Sequence, residues 1–214
     1  PMSIVFATDG GTVHKSSHTL VKAGTSFVSV TAYHNTVGAL TTNGDIWVWG
    51  DQTQSGFKET NMVHRSKPTL IPGDRSWNHV SAGNNYSAAI TSNSELWTWG
   101  LNTDGQLGLN DTVHRSNISQ VTGTWKVVET GNNHTGAFDS SNAIHTWGKN
   151  DVGQLGTNDN YPFYTNRSTP TAIATGSNNH SQLSVGKDYS MIIDSSNGIL
   201  AWGHNKYGKT GVRD

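Results

Sequence analysis

The sequence predicts an all-β fold in which about four similar sheets are arranged as a ring, and three observations predict it. The dipeptide Trp-Gly follows a β-like run four times in the 214 residues. The composition is low in hydrophobic residues, at 33%, yet it includes 24 glycines and 8 tryptophans. A sequence signature that breaks off at the carboxyl terminus resumes near the amino terminus. Short strands that recur at a regular spacing and are separated by turn residues are typical of all-β repeat proteins.

Each repeat unit ends near a tryptophan that is followed by glycine. The four pairs are Trp49 and Gly50, Trp99 and Gly100, Trp147 and Gly148, and Trp202 and Gly203. The interval between successive tryptophans varies, and the last interval is the longest. Within every unit, a position at one fixed distance before the tryptophan is occupied by Thr36, Tyr86, His134 and Tyr189 in turn. A constant offset within a unit and a variable spacing between units predict hairpins that are joined by loops of different length.

One unit illustrates the strands that we expect. The runs "HVSAG", "YSAAI" and "ELWTW" are rich in small, β-branched or aromatic residues, and "TSNSE" between the last two predicts a hairpin turn. Alternation along the last strand places Trp97 and Trp99 on one face. The outer position of this pair varies between units, as Trp47, Trp97, His145 and Leu200. We therefore expect the constant inner tryptophan to pack between sheets, and the glycine after it to permit a close backbone approach.

The segments after the Trp-Gly pairs carry a second signature. "LNTDGQLG" and "KNDVGQLG" follow two of the pairs, and "VHKS", "VHRS" and "VHRS" begin at Val13, Val63 and Val113. These motifs resemble the RCC1-like repeat from about residue 12 to the end of the chain, most specifically around Trp99 and Trp147. The resemblance implies a β-propeller of four-stranded blades, and it identifies His134 as the family's usual histidine. Members of that family normally have seven blades, whereas this chain has residues for about four.

The two ends of the chain predict how a small propeller would close. "GVRD" at the carboxyl terminus and "TVHKSSHTLV" near the amino terminus together reconstitute one copy of the second signature. We expect residues 12–214 to form a single propeller domain, closed by pairing of the N- and C-terminal segments, with residues 1–11 as an N-terminal strand or arm. In an alternative alignment, residues 4–15 form a degenerate hairpin. The chain is then an open arc that a second copy or a larger assembly completes.

Composition and motifs exclude several classes of function. The net charge is -1 and the isoelectric point about 6.9, so we expect no nucleic-acid partner and no binding to an anionic membrane. The chain has no cysteine, which rules out disulfides and thiolate metal sites. We expect no signal peptide and no membrane span, because no basic leader and no apolar run of ~20 residues is present. No catalytic or cofactor-binding motif occurs, so the sequence predicts a protein that is not an enzyme and needs no cofactor.

The recurring basic residues have a structural interpretation. Symmetry-related histidines in a four-fold ring lie ~14 Å apart, too far to share a zinc ion that needs ligand nitrogens at ~2.0–2.1 Å. We therefore expect the histidines of the second signature to dock the connecting segment, and its arginines to cap carbonyls or to form local ion pairs. These residues are His14, His64 and His114, and Arg65, Arg115 and Arg167 with Lys15. The segment "NTDGQLGLND" lacks the order of oxygen ligands found in a calcium loop.

Five residues are the candidates for ligand contact. Tyr86, His134 and Tyr189 form a column that either satisfies neighbouring backbone groups or lines one end of the central channel. Trp47 and Trp97 could stack on sugars in a lectin-like site.

A rigid ring of repeats with variable loops predicts a binding or structural module. The leading hypothesis is a component that contacts other proteins, in an oligomer or attached to a larger particle such as a virion, as a capsid decoration or tail appendage of a phage. The alternatives are a lectin-like glycan binder and a small GTPase regulator or guanine-nucleotide exchange factor. The exchange-factor alternative is implied by the family resemblance alone.

Overall fold

A computed structural model describes residues 17, 20–50, 65–71, 73–159, 162–176 and 180–211. These residues form fifteen strands and no helix. The strands are β1 (Phe27–Tyr33), β2 (Thr36–Thr41), β3 (Ile46–Gly50), β4 (Arg65–Leu70), β5 (Trp77–Ala82), β6 (Tyr86–Thr91), β7 (Leu96–Gly100), β8 (Arg115–Val121), β9 (Trp125–Thr130), β10 (His134–Asp139), β11 (Ile144–Gly148), β12 (Arg167–Ala172), β13 (Gln182–Val185), β14 (Tyr189–Ile193) and β15 (Ile199–Gly203). The all-β class predicted from the sequence is confirmed.

The strands form four antiparallel sheets, each a meander of consecutive strands. The first three sheets are β1-β2-β3-β4, β5-β6-β7-β8 and β9-β10-β11-β12, and the described part of the fourth is β13-β14-β15. The register repeats from sheet to sheet: Tyr86 pairs with Gly100, and His134 pairs with Gly148. Each sheet is one repeat unit, as the constant offset before each tryptophan predicts.

In each of the first three sheets, the first strand contacts the first strand of the next sheet. Strand β5 contacts both β1 and β9, and β9 also contacts β13, whereas the second strands β2, β6 and β10 contact the first strand of the following sheet. The first strands therefore lie innermost and the fourth strands outermost. This arrangement is a β-propeller of four blades, as the sequence predicts.

The apolar core lies between the blades rather than within any one of them. Between the first and second blades, Leu40 and Ile46 pack against Trp77 and Trp99. Between the second and third, Ile90 and Leu96 pack against Trp125 and Trp147, and a smaller cluster of Phe138, Ile144 and Ile192 joins the third blade to the fourth. A single four-stranded sheet cannot cover its own faces, so each blade is stabilised by its neighbours.

The glycine after each repeated tryptophan meets the backbone of its own blade. These glycines have φ between +101° and +105°, a region that favours glycine. A Cβ atom at any of them would lie no more than 2.6 Å from a carbonyl oxygen. The carbonyls belong to Asn35, Asn85, Asn133 and Asp188. A side chain at these positions would therefore break the pairing of the second and third strands.

The predicted closure of the ring by the N- and C-terminal segments lies outside the described residues. Residues 12–16 and 212–214, which carry the two halves of the interrupted signature, are not among them. The alternative hairpin at residues 4–15 and the boundary of the arm at residue 11 also lie outside them. All three remain predictions from the sequence.

Candidate functional site

Tyr86 joins the second blade to the third. It is fully buried at the start of β6. Its hydroxyl donates a 2.6 Å hydrogen bond to the carbonyl of His134 and accepts one of 3.1 Å from the Gly131 amide. Burial raises the pKa of Tyr86, so the hydroxyl stays protonated. Two roles are expected for this position, namely hydrogen bonding to neighbouring backbone groups and lining one end of the central channel. The hydrogen bonds of Tyr86 support the first role.

His134 repeats this arrangement one blade further along the ring. It is fully buried at the start of β10, and its Nε2 lies 3.0 Å from Ser190 Oγ of the fourth blade. Burial lowers the pKa of His134 to about 4, so the imidazole is neutral at pH 7. Tyr189, at the same position of the fourth blade, is half-buried, and Lys209 Nζ lies 5.3 Å from its ring centre. Of the three residues in this column, Tyr86 and His134 are therefore buried in blade interfaces, and only Tyr189 is accessible to solvent.

Trp47 and Trp97, the candidates for sugar stacking, lie under cations. Lys22 Nζ is 4.2 Å from the ring centre of Trp47, and the guanidinium of Arg75 is 4.1 Å from that of Trp97. Both tryptophans are half-buried. A cation over an indole face is stabilised by the ring quadrupole and occupies the surface on which a sugar would stack.

The repeated "GQLG" segment of one blade accepts a hydrogen bond from the repeated tryptophan of the next blade. The carbonyl of Gln106 accepts 2.9 Å hydrogen bonds from Trp147 Nε1 and from Thr135 Oγ1. The carbonyl of Gln154 accepts the corresponding bonds from Trp202 Nε1, at 2.9 Å, and from Ser190 Oγ, at 3.1 Å. These loops are fixed parts of the blade interfaces.

The polar residues of the second signature fix the connecting loop from within. The side-chain amide of Asn102, which is fully buried, donates to the carbonyls of Asp111 and Val113 and to the Asp111 carboxylate. Arg115 pairs with Asp111 and caps the Val113 carbonyl, and His114 Nδ1 accepts a 2.9 Å hydrogen bond from the backbone N–H of Asn102. His114 and Arg115 thus have the docking and capping roles expected from the sequence. His14, Lys15 and His64 lie outside the described residues, as does the side chain of Arg65.

A groove of about 550 Å³ opens between the second and third blades near the rim. Its polar lining includes Asn110, Gln120, Thr122, Asp139 and His145. Thr124 and Ser140 also line it, and Thr124 Oγ1 donates a 2.9 Å hydrogen bond to Ser140 Oγ. Trp125, which is buried, forms part of the lining and meets the His145 ring edge-on with the ring centres 5.2 Å apart. The groove therefore combines an aromatic floor with a polar rim, as expected of a binding site.

Asp139 gives the groove a fixed negative charge. Its carboxylate accepts hydrogen bonds from the Ser141 hydroxyl, at 2.7 Å, from the Ala143 amide and from His145 Nε2, both at 3.0 Å. Burial raises the pKa of Asp139, but these hydrogen bonds outweigh burial and lower it to about 2. The carboxylate is ionised at neutral pH and is held rigidly at the edge of the groove.

Two side-chain positions at the groove differ from their equivalents in the second blade. The outer aromatic position is Trp97 in the second blade and His145 in the third. Shortly before the first strand, Arg75 covers the second blade, whereas Gly123 occupies the equivalent position before the third. Sequence reasoning noted the change to histidine but did not identify a site. The sequence signal for this site is that the third unit has lost both the outer tryptophan and the cation that covers it, since His145 and Gly123 replace Trp97 and Arg75.

The described residues contain no group of three or more His, Asp or Glu side chains that could hold a metal ion. In the same part of the chain, no helix is long and apolar enough to span a membrane.

Comparisons with known proteins identify the repeat. The family model described as regulator of chromosome condensation (RCC1) repeat matches residues 93–138 and 141–193, and a second model of that description matches residues 77–106. Together these matches cover more than half of the chain. No curated protein matches the sequence.

Several solved structures share the fold. The structure of human WBSCR16 is 20% identical with a TM-score of 0.75, over 87% of this chain and 51% of that one. Yeast RCC1 (Prp20), solved with Kap60 bound, is 20% identical with a TM-score of 0.73, over 87% and 45%. Prp20p from Saccharomyces cerevisiae, described with its binding properties to Gsp1p and histones, is 19% identical with a TM-score of 0.63, over 78% and 43%. The chain spans about half the length of these structures.

Proposed function

The chain belongs to the RCC1-like repeat β-propeller family, and we propose that it is a non-enzymatic module that binds a protein partner through the groove between its second and third blades. The single observation that supports this proposal is the groove itself, which has an aromatic floor and a fixed carboxylate between two blades that pack closely elsewhere. Similar propellers have been solved with, or tested against, protein partners, namely Kap60, Gsp1p and histones.

The chemistry of the groove favours a particular kind of contact. Asp139 supplies a fixed carboxylate, and Gln120 and Thr122 add an amide and a hydroxyl group to the lining. Rigid acceptors around an apolar floor favour a partner side chain that has several donors and a long apolar stem, as arginine or lysine has. The partner segment would therefore be basic and would enter the groove from the rim.

Filling the groove tests the proposal. Thr122 is exposed at the groove, and replacement by arginine should place a long side chain across the space between the blades and obstruct it. The immobilised protein is used to capture its partner from an extract of the native source. Thr122→Arg should weaken the affinity for the partner, and so lower the amount captured, at least about tenfold, which corresponds to ~1.4 kcal/mol of binding free energy. Thr42→Arg is the matched control, because Thr42 is an exposed threonine in a turn of the first blade. Equal capture by the wild type and Thr122→Arg would contradict the proposal.

A second candidate function comes from the comparisons. The family resemblance implies a regulator of small GTPases as the alternative, and yeast Prp20p is described with its binding properties to Gsp1p. An identity of 19% supports the shared fold only. Nucleotide release from a panel of small GTPases tests this alternative. If this protein at micromolar concentration does not accelerate release, exchange activity on those GTPases is excluded. The hypothesis of a virion component rests on composition alone and does not enter the proposal. The glycan-binding hypothesis does not enter it either, because cations cover the rings of Trp47 and Trp97 on which a sugar would stack.

A further inference from the structure

A cation covers the outer aromatic residue of the first two blades. Lys22 Nζ lies 4.2 Å from the ring centre of Trp47, and the guanidinium of Arg75 lies 4.1 Å from that of Trp97. The face of an indole attracts a cation because the ring quadrupole is negative there. In each of these blades, a side chain of the protein itself therefore supplies the positive charge at the outer position.

The third blade has a groove where the second blade has this cation. His145 holds the outer position of the third blade, since it pairs with β10 as Trp97 pairs with β6. Gly123 stands at the position of Arg75, so no long side chain extends from it. Both His145 and Gly123 line the groove. The groove therefore includes the place that the guanidinium of Arg75 fills in the second blade.

The groove holds a carboxylate and, among the described residues that line it, no lysine or arginine. The carboxylate is that of Asp139, whose Oδ1 accepts hydrogen bonds from the Ser141 amide, the Ser141 hydroxyl and the Ala143 amide. His145 Nε2 is the one donor to Oδ2 among the described residues. Each oxygen of a carboxylate has two lone pairs. Oδ2 can therefore accept a hydrogen bond from a further donor that enters the groove.

We propose that an arginine side chain of the partner protein occupies this place, with its guanidinium beside the His145 ring and hydrogen-bonded to Oδ2 of Asp139. Two observations select this occupant, namely the carboxylate of the groove and the guanidinium that fills the equivalent place in the second blade. Arginine is preferred to lysine because a planar guanidinium stacks on rings and is less strongly hydrated than an ammonium group. This inference rests on the proposed function and deepens it by naming the side chain that the groove binds.

Titration of the protein with blocked amino acids, followed by NMR, tests the proposal. The probes are the N-acetyl amides of arginine, lysine and citrulline, of which citrulline has the shape of arginine without its charge. The arginine probe should shift the signals of Asp139 and His145 with a dissociation constant on the order of 1 mM. The lysine and citrulline probes should bind at least about fivefold more weakly. Equal binding of the three probes, or no binding of the arginine probe, overturns the proposal.

Two matched variants locate the arginine probe. Asp139→Asn keeps the size of the side chain but removes its charge, and it should weaken binding of the arginine probe at least about tenfold. Asp194→Asn is the control, because Asp194 accepts hydrogen bonds from Ser196 and Gly198 in the equivalent turn of the fourth blade but does not line the groove. It should leave the affinity unchanged, and circular dichroism can verify that both variants are folded. An equal loss of affinity in the two variants contradicts the proposal.

The arginine probe and the captured partner separate this inference from the proposed function. If the arginine probe does not bind but Thr122→Arg still lowers the capture of the partner, the groove binds its partner through other groups and only the arginine inference fails. If the arginine probe binds as expected but Thr122→Arg leaves the capture unchanged, the preference of the groove for arginine stands and the proposed function fails.

Discussion

The hydroxyl of Tyr86 in the second blade donates a hydrogen bond of 2.6 Å to the backbone carbonyl of His134 in the third. The two residues occupy the same position of successive repeats, so the residue that begins the second strand of one blade is bonded directly to its counterpart in the next. His134 continues the pattern toward Ser190 of the fourth blade. Polar contacts of this kind fix the angle between blades, while the apolar clusters supply most of the burial.

Removing the Tyr86 hydroxyl should destabilise the propeller. Tyr86→Phe keeps the ring but leaves the His134 carbonyl and the Gly131 amide without this partner in a buried interface. The expected loss is about 1 to 3 kcal/mol in the free energy of unfolding, measured by urea denaturation. Tyr207→Phe is the control, since Tyr207 is 87% exposed. A loss for Tyr86→Phe no greater than that for the control would show that the hydroxyl does not link the blades.

His134 should make stability depend on pH between about 4 and 6.5. The folded protein holds this imidazole neutral with a pKa of about 4, whereas the ordinary value is 6.5. Between these values the unfolded chain binds more protons, so the contribution to stability is fully present above pH 6.5 and is lost as the pH falls toward 4. The shift corresponds to about 3 kcal/mol over this window.

The variant His134→Gln isolates this contribution. It retains an amide near Ser190 but does not titrate, so the difference in unfolding free energy between the two proteins should change with pH only below about 6.5. Parallel curves for wild type and variant from pH 7 down to pH 4.5 would mean that His134 is not buried as a neutral imidazole.

Gly108 should tolerate no side chain, because two separate penalties apply. Its φ is +73°, and a Cβ atom would lie 2.9 Å from Trp147 Nε1. Gly24 has nearly the same φ, +74°, with no atom within 4 Å of the Cβ position. Gly24→Ala therefore measures backbone strain alone, about 1 kcal/mol, and Gly108→Ala should cost a further 1 to 3 kcal/mol or so from overpacking. Equal losses in thermal or urea unfolding would contradict the packing of this loop on the tryptophan.

Asn102 should hold the connecting loop of the second blade in place. Its side chain bonds the backbone at Leu107, Asp111 and Val113 from a fully buried position. Asn102→Ala should speed amide hydrogen exchange of Leu107 by about one to two orders of magnitude, equivalent to about 1 to 3 kcal/mol of local stability. Asn117→Ala, at an exposed position of β8, should leave that exchange unchanged. Unaltered exchange in Asn102→Ala would show that the loop is fixed by other contacts.

The sequence was informative about the blades because their determinants are local. The Trp-Gly pairs and the constant offset before them report strand pairing within a unit, and the register of Tyr86 with Gly100 follows from that spacing. The burial of each side chain, by contrast, depends on how its own blade packs against the next one. Tyr86 and Tyr189 share a motif position, yet the next blade buries the first while the second is only half-buried.

The groove could not be predicted for the same physical reason. His145 is one histidine among ten in the sequence, and its significance depends on Gly123, which lies in an earlier loop that also lines the groove. Two small changes in different segments leave a space only when the blades are brought together.

A cross-link between the second and third blades tests the radial packing of the sheets most directly. Ser81 Oγ and Thr130 Oγ1 are 2.9 Å apart on the innermost strands of these blades, both residues are buried, and the chain has no cysteine of its own. In the double variant Ser81→Cys and Thr130→Cys, mild oxidation should form one disulfide, detected as the loss of two reactive thiols in the folded protein. The pair Ser81→Cys and Ser190→Cys, on the second and fourth blades, should keep both thiols. Free thiols in the first pair under the same oxidation, or a disulfide in the second, would contradict the packing of each blade on the next.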